Sequence, residues 1–122
     1  MRKPTLVLAC LLLLVALPLS AKTAFSGTYD VTGSNPGVGA YKGTLTIAPR
    51  GEIYDVLWTI GKASYAGVGV VVGDTLSVAY SDGTGKWMGV VGYRQLSDGT
   101  LDGKWAVYGG NTKTGTETAR RK

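Results

Sequence analysis

The sequence predicts an all-β protein, an antiparallel up-and-down meander of about eight strands closing into a small barrel. A two-sheet β-sandwich is the runner-up. Three observations lead there. Apolar residues alternate with a period of two through most of the chain, as strands with one buried and one wet face require. Turn-forming residues interrupt that alternation at short intervals. No helical apolar period persists for more than a few residues, and the 19 glycines break every candidate helix, at about 1 kcal/mol each.

The chain opens on a different kind of segment. Arg2 and Lys3 are basic, Thr5 to Leu19 carry no charge, and small Ser20 and Ala21 precede Lys22. That is the three-part layout of a secretory signal peptide. A spanning helix needs about 20 apolar residues with anchors at both ends, and this stretch is shorter and lacks a basic stop-transfer flank. Residues 1–21 are therefore expected to be a signal peptide cut after Ala21, although Leu19 is large for its place before the cut. Residues 22–122 are then a single β-barrel domain, secreted or periplasmic, with no stable membrane span after cleavage. Val7-Leu8-Ala9-Cys10 has the look of a lipoprotein cleavage box. Only about five apolar residues precede Cys10, however, fewer than an apolar leader region needs, so lipidation is not expected. Cleavage removes the one cysteine, and with it any disulfide, thiolate nucleophile or thiolate metal site.

Strands are expected near 27–33, 40–48, 52–61, 63–72, 75–81, 86–96, 100–108 and 115–120. The first opens on Gly27-x-Tyr29. In the second, Tyr41, Gly43, Leu45 and Ile47 share a face opposite Lys42, Thr44 and Thr46. The third sets Tyr54, Val56, Trp58 and Ile60 against Asp55 and Thr59. In the fourth, Gly67 and Gly69 ahead of Val70-Val71-Val72 mark a local bend. The fifth alternates Leu76, Val78 and Tyr80 with Thr75 and Ser77, and the seventh alternates Leu101, Gly103, Trp105 and Val107 with Asp102 and Lys104. Between them lie Asn35-Pro36-Gly37, Pro49-Arg50-Gly51, Gly61-Lys62, Gly73-Asp74, Asp82-Gly83, Asp98-Gly99 and Gly109-Gly110-Asn111. Gly73-Asp74 suits a type II′ hairpin, glycine first, and Asn35-Pro36-Gly37 a type II turn. Such a meander, with no helices or disulfides to shield its edges, is best protected by closure. Tyr41-x-Gly43, Tyr65-x-Gly67 and Leu101-x-Gly103 place a glycine beside a large residue on the same face. There it relieves crowding under a neighbouring ring or clears interior space for a ligand.

A body of this length holds one domain and buries about 65% of its unfolded surface, enough for a core without disulfides. Without Arg2 and Lys3 the 13 basic residues become 11 against 8 acidic ones, a net charge of +3. Arg120, Arg121 and Lys122 close the chain and read as a frayed, solvated end. The other charges alternate in sign, so no stripe tracks a phosphate backbone and no nucleic-acid partner is expected.

The chemistry inventory is largely one of exclusions. With no histidine there is no histidine general base, zinc site or serine–histidine pair. Asp30, Asp74, Asp82 and Asp98 sit at turns and strand ends, where aspartate is a routine turn former. A glycosidase needs two facing carboxylates about 5–9.5 Å apart, and Glu52 and Asp55 fall on opposite faces. Asp82-x-Thr84 and Asp98-x-Thr100 lack the oxygen density of a calcium loop, and no glycine run leads into a helix as a phosphate loop would. Neither catalysis nor a cofactor is expected.

Aromatic residues are what remains for binding. Trp58, Trp87 and Trp105 are placed on three strands, with Tyr29, Tyr41, Tyr65, Tyr80 and Tyr93 on others; Tyr54, Trp58, Trp87 and Trp105 are the candidate interior set. They fill the barrel, line a pocket for a small apolar or aromatic ligand at its open end, or, where exposed, join loops at a protein interface. In an up-and-down meander, connections one, three, five and seven emerge at one end. Ser34, Asn35, Pro36 and Val38 in the first connection are the candidate binding loop, with Lys62, Ser64 and residues 109–113 as possible neighbours.

The meander, opening on Gly27-x-Tyr29 and closing with Gly103-x-Trp105, resembles the lipocalin and avidin-like barrels. The polar biotin-binding set of avidins cannot be laid onto these residues. The run Gly27, Tyr29, Val31, Gly33, Asn35, Pro36, then Tyr41, Gly43, Leu45, is also similar to small exported bacterial proteins, some labelled fibronectin-binding. The expectation is an exported, non-enzymatic protein that contacts another macromolecule, such as a fibronectin-type matrix protein, through barrel-end loops. The alternatives are a small-ligand carrier with a pocket inside the barrel and an inhibitor of a secreted hydrolase.

Overall fold

The computed structural model describes residues 24–122. The expected leader, its cleavage after Ala21 and Cys10 lie outside the described residues. Eight strands follow in chain order: β1 (Gly27–Asn35), β2 (Gly39–Arg50), β3 (Ile53–Ile60), β4 (Ala63–Val72), β5 (Thr75–Ser81), β6 (Gly89–Gln95), β7 (Leu101–Val107) and β8 (Gly115–Arg121). Each pairs antiparallel with the next, and β1 also pairs with β8 from Tyr29↔Arg121 to Ser34↔Thr116. The meander therefore closes into one barrel, and the sandwich alternative is set aside.

Local chemistry fixes the tight turns. Val38 N donates to Asn35 O at 3.0 Å, Pro36 supplies the fixed φ, and Gly37 takes φ 75°, as a type II turn requires. Gly73 has φ 62° while Asp74 keeps a negative φ, and Val72 pairs with Thr75 across them. That is the type II′ pattern.

The two-residue alternation sorts every strand into an inner and an outer face. Tyr54, Val56 and Trp58 of β3 are buried while Asp55, Leu57 and Thr59 face out. Tyr29, Leu45, Leu76, Tyr93 and Leu101 are fully buried from five different strands, each side chain contributing about 1.5–3 kcal/mol of burial. They meet Val31, Ile47, Val56 and Val78 in one cluster.

Connections β1–β2, β3–β4, β5–β6 and β7–β8 emerge at one end, and the others, together with residues 24–26, at the opposite end. That second end is shut. Phe25 is buried and meets Tyr54 edge-on at 6.5 Å between ring centroids. Tyr29 Oη donates to Phe25 O at 2.7 Å, and Gln95 Nε2 to Ala24 O at 2.7 Å. Arg121 donates to Ser26 O at 2.7 Å and lies 5.0 Å over the Tyr29 ring. This corrects the sequence reading of a frayed basic end. β8 carries order as far as Arg121, which clamps the plug in place.

Candidate functional site: an aromatic cavity at the open end

The half of the barrel nearer the odd-numbered connections is built differently from the packed half. Its inward positions include Gly33, Gly89 and Gly115, with Gly103 at its base, each directly across the ladder from a ring: Tyr41, Tyr80, Trp105 and Tyr93 respectively. A Cβ on any of these glycines would collide with the ring opposite it. The rings lie back against the wall over bare backbone, and the lumen stays open. Of the glycines that the sequence marks, Gly103 lies directly under the Tyr93 ring, whereas Gly43 packs against Thr59 O and Ile60, and Gly67 against Ala79 O and Val78.

The result is a cavity of about 400 Å³, within the size range of small-molecule sites. Its walls are aromatic. Trp58 and Tyr80 lie 5.2 Å apart at a tilt, and Tyr41 and Trp105 meet edge-on at 6.4 Å. Ile60, Val91 and Val107 supply the aliphatic part, and Asn35 reaches the lining from the end of β1.

Glu117 of β8 reaches the same lining and is 4% exposed. Tyr41 Oη donates to its Oε1 at 2.9 Å, and Trp58 Nε1 to its Oε2 at 3.2 Å. Tyr93 Oη donates to Oε2 as well, and accepts from Trp58 Nε1 at 3.1 Å. Donors from β2, β3 and β6 thus converge on one carboxyl group. Burial pushes the Glu117 carboxyl above the ordinary carboxylate range, opposed by the bonds from Tyr93, Tyr41 and Trp58. Burial first, then the Glu117 charge, raises Tyr41 and Tyr93 far above the usual phenol range and Tyr80 to about 12. All three hydroxyls are therefore protonated at neutral pH. Trp105 Nε1 is buried with no acceptor in hydrogen-bonding geometry among the described residues.

The rim carries one further ring. Trp87 was expected on a strand beginning near residue 86, but β6 starts at Gly89 and Trp87 belongs to the β5–β6 loop. Asp82 accounts for the difference. Its Oδ1 accepts from Thr84 N at 2.9 Å and Thr84 Oγ1 at 2.7 Å, while its Oδ2 accepts Trp87 Nε1 at 2.7 Å. The loop is an Asx turn that swings the indole over the mouth, against Tyr65 at 5.7 Å and Tyr80 at 5.9 Å.

The candidate interior residues separate by height. Trp58, Trp87 and Trp105 line the cavity. Tyr54 lies in the packed half against Phe25 and contributes nothing to the lining. Ser34 and Asn35 end β1, and Pro36 and Val38 form the turn beyond it, with Val38 81% exposed. Lys62, Ser64 and the loop around residues 109–113 belong to the same end of the barrel. Sequence reasoning passed over Glu117. Its parity with Gly115 and Ala119, against Thr116, Thr118 and Arg120, was the available signal. Among the described lining residues Glu117 is the one carboxylate, and no lysine or arginine accompanies it. The site can hold a compact apolar body between ring faces and offer it one buried carboxyl group.

No family model matches the chain, and no curated protein matches it in sequence. Solved structures resemble it in fold. A redesigned β-barrel, mFAP1, bound to DFHBI is 22% identical with a TM-score of 0.69, covering 83% of this chain and 98% of its own. Another redesigned β-barrel is 22% identical with a TM-score of 0.70, over 84% of this chain and 95% of its own. EF1p2_mFAP2b, also bound to DFHBI, is 19% identical with a TM-score of 0.60, over 81% of this chain and 94% of its own. These likenesses establish the eight-stranded meander barrel.

Proposed function

We propose that this protein is an exported, non-catalytic small-molecule carrier whose ligand sits in the cavity at the open end of the barrel. The observation that carries the reading is the division of the barrel into a packed, plugged half and a hollow half of about 400 Å³ walled by rings. A barrel needing only stability would fill both halves, because an eight-stranded interior is just wide enough to be packed by side chains. Two barrels of the same architecture are bound to DFHBI, which supports use of such an interior for a ligand. Export rests on the leader pattern of residues 1–21. Among the described residues the lining holds one carboxylate and no second acid, lysine or arginine beside it, which favours binding over hydrolysis.

Tryptophan emission provides the test, since Trp58, Trp87 and Trp105 all border the cavity. Titration with apolar dyes, fatty acids and small ring compounds should give a saturable change at one site per chain. Silence across all three classes would contradict the carrier reading.

Val38, 81% exposed at the rim, favours a second reading. In it the loops grip a protein, either a matrix protein of the fibronectin kind or a secreted hydrolase. Replacing Asn35 and Val38 with alanine should then abolish capture of such a partner while leaving the thermal midpoint unchanged.

A further inference from the structure

We infer that the ligand of the cavity is an organic cation, a protonated amine on a small apolar or aromatic body, with an N–H directed at Oε1 of Glu117. This rests on the small-molecule reading above and specifies its chemistry.

Three observations converge on it. The first is the hydrogen-bond count at the carboxylate. An ionised carboxylate offers about four lone-pair sites. Oε2 accepts from both Tyr93 and Trp58, whereas Oε1 accepts from Tyr41 alone. The unfilled acceptor site is on Oε1, in a residue that lines the cavity.

The second is charge. Glu117 is 4% exposed, and its partners Tyr41, Trp58 and Tyr93 are all neutral donors. The ion pairs among the described residues, Arg50–Asp55 and Lys122–Asp30, both lie on the exterior. A buried carboxylate without a counter-ion is costly, and a bound ammonium supplies the missing charge. An anionic ligand would instead meet Glu117 across a low-dielectric lumen. The O–H and N–H groups of Tyr41, Tyr93 and Trp58 are already committed to the carboxylate, so this part of the wall presents acceptor capacity to a ligand.

The third is the wall itself. Ring faces attract a cation within about 6 Å of their centroids, tryptophan most strongly. Trp58, Tyr80, Trp87 and Tyr65, in that order, form a continuous chain of ring contacts between 5.2 and 5.9 Å. An apolar body lies along those faces while its ammonium lodges at Glu117.

The test compares three compounds of one shape by tryptophan fluorescence on the full-length chain at neutral pH: phenethylammonium, phenethyl alcohol and phenylacetate. An apolar dye is titrated in parallel. The ammonium should bind at least about tenfold tighter than the alcohol, and the carboxylate most weakly. In Glu117→Gln, where an amide can accept from Trp58 and Tyr93 and donate to Tyr41, the preference for the ammonium should collapse toward unity. Equal or tighter binding of the alcohol by the unaltered protein overturns the cation assignment and needs no variant to interpret. A preference that survives in Glu117→Gln overturns the role of that carboxylate. If none of the three binds while the dye does, the cation inference falls and the cavity reading stands. If the dye also fails to bind, both fall.

Discussion

Trp58 and Glu117 lie 59 residues apart in the chain, on strands separated in the barrel by β1 and β2, and the indole Nε1 reaches Oε2 across 3.2 Å. This contact spans the lumen at the base of the ring-lined half. Tyr93 joins it from β6, bonded to both residues. The three side chains tie distant walls of the barrel together and hold the carboxylate where a ligand can meet it.

Tyr93→Phe tests that tie. The variant keeps the ring over Gly103 and removes the hydroxyl that bridges Trp58 and Glu117. Loss of a hydrogen bond to a buried charged group costs about 1–3 kcal/mol, measurable by urea unfolding. A change under about 0.5 kcal/mol would show that the hydroxyl is dispensable to the network.

The raised Glu117 carboxyl has a consequence for stability against pH. As pH rises, the unfolded chain ionises this group first, at its ordinary value of about 4, while the native state still holds the proton. Native stability from this group therefore falls between that pH and the higher folded value, and the full penalty persists above it. Asp55, Asp82 and Asp98 act oppositely. Hydrogen bonds from Arg50, Thr84 and Thr100 respectively lower them, so their contribution is present above the ordinary range and lost on acidification. They are common to Glu117→Gln and cancel in the difference. Denaturant unfolding of both proteins should show the variant gaining on the parent as pH rises above the ordinary carboxylate range, until the folded carboxyl has ionised. A variant that instead loses ground to the parent as pH rises would mean the folded carboxyl is not raised.

The glycine–ring pairs predict unequal alanine substitutions. A Cβ at Gly103 would sit 2.7 Å from Cδ1 and Cε1 of Tyr93, a buried ring held by Glu117. Gly103→Ala should cost about 1–3 kcal/mol. At Gly92, one position before Tyr93, the same Cβ meets only Thr75 Cγ2 at 3.8 Å, so Gly92→Ala should be neutral or slightly stabilising. Thermal unfolding of the pair distinguishes them, and equal costs would mean the rings do not depend on bare backbone beneath them.

Asp82 governs the ring at the mouth. Asp82→Ala removes the acceptor of two exposed Thr84 donors and of the part-buried Trp87 Nε1, all in one loop. Acrylamide quenching of Trp87, read with Trp58 and Trp105 replaced by phenylalanine, should rise, and stability should change by about 1 kcal/mol or less. Unchanged quenching would show that packing on Tyr65 and Tyr80 holds the indole without the aspartate.

Much of this architecture was legible in the sequence, for identifiable reasons. Alternation in Tyr41 to Ile47 and Tyr54 to Ile60 assigned inner and outer faces, because burial on one side of a strand leaves a period of two. Asn35-Pro36-Gly37 and Gly73-Asp74 carried their turn types in backbone chemistry. What stayed hidden depends on relationships between strands. The difference between Tyr54 in the packed half and Trp58 in the cavity is one of height, set by the stagger of the closed ladder. Trp87 sits within an alternating-looking run, and only the bonds from Asp82 show that it belongs to a loop. Glu117 shares its inner face in β8 only with the small Gly115 and Ala119, a weak parity signal, and its three donors come from strands far away in sequence.

The proposed carrier takes one small molecule in the hollow half of the barrel. Isothermal titration of a ring compound that quenches the tryptophans, into the full-length chain and into Ile60→Trp, tests it most directly. Ile60 lines the cavity and is half-buried near the mouth, so an indole there occupies the lumen while circular dichroism confirms that the barrel persists. The parent should show one saturable site per chain, and the blocked variant should lose at least about 1.4 kcal/mol, or tenfold in affinity. Unchanged affinity in a folded Ile60→Trp would place the ligand outside the hollow half of the barrel.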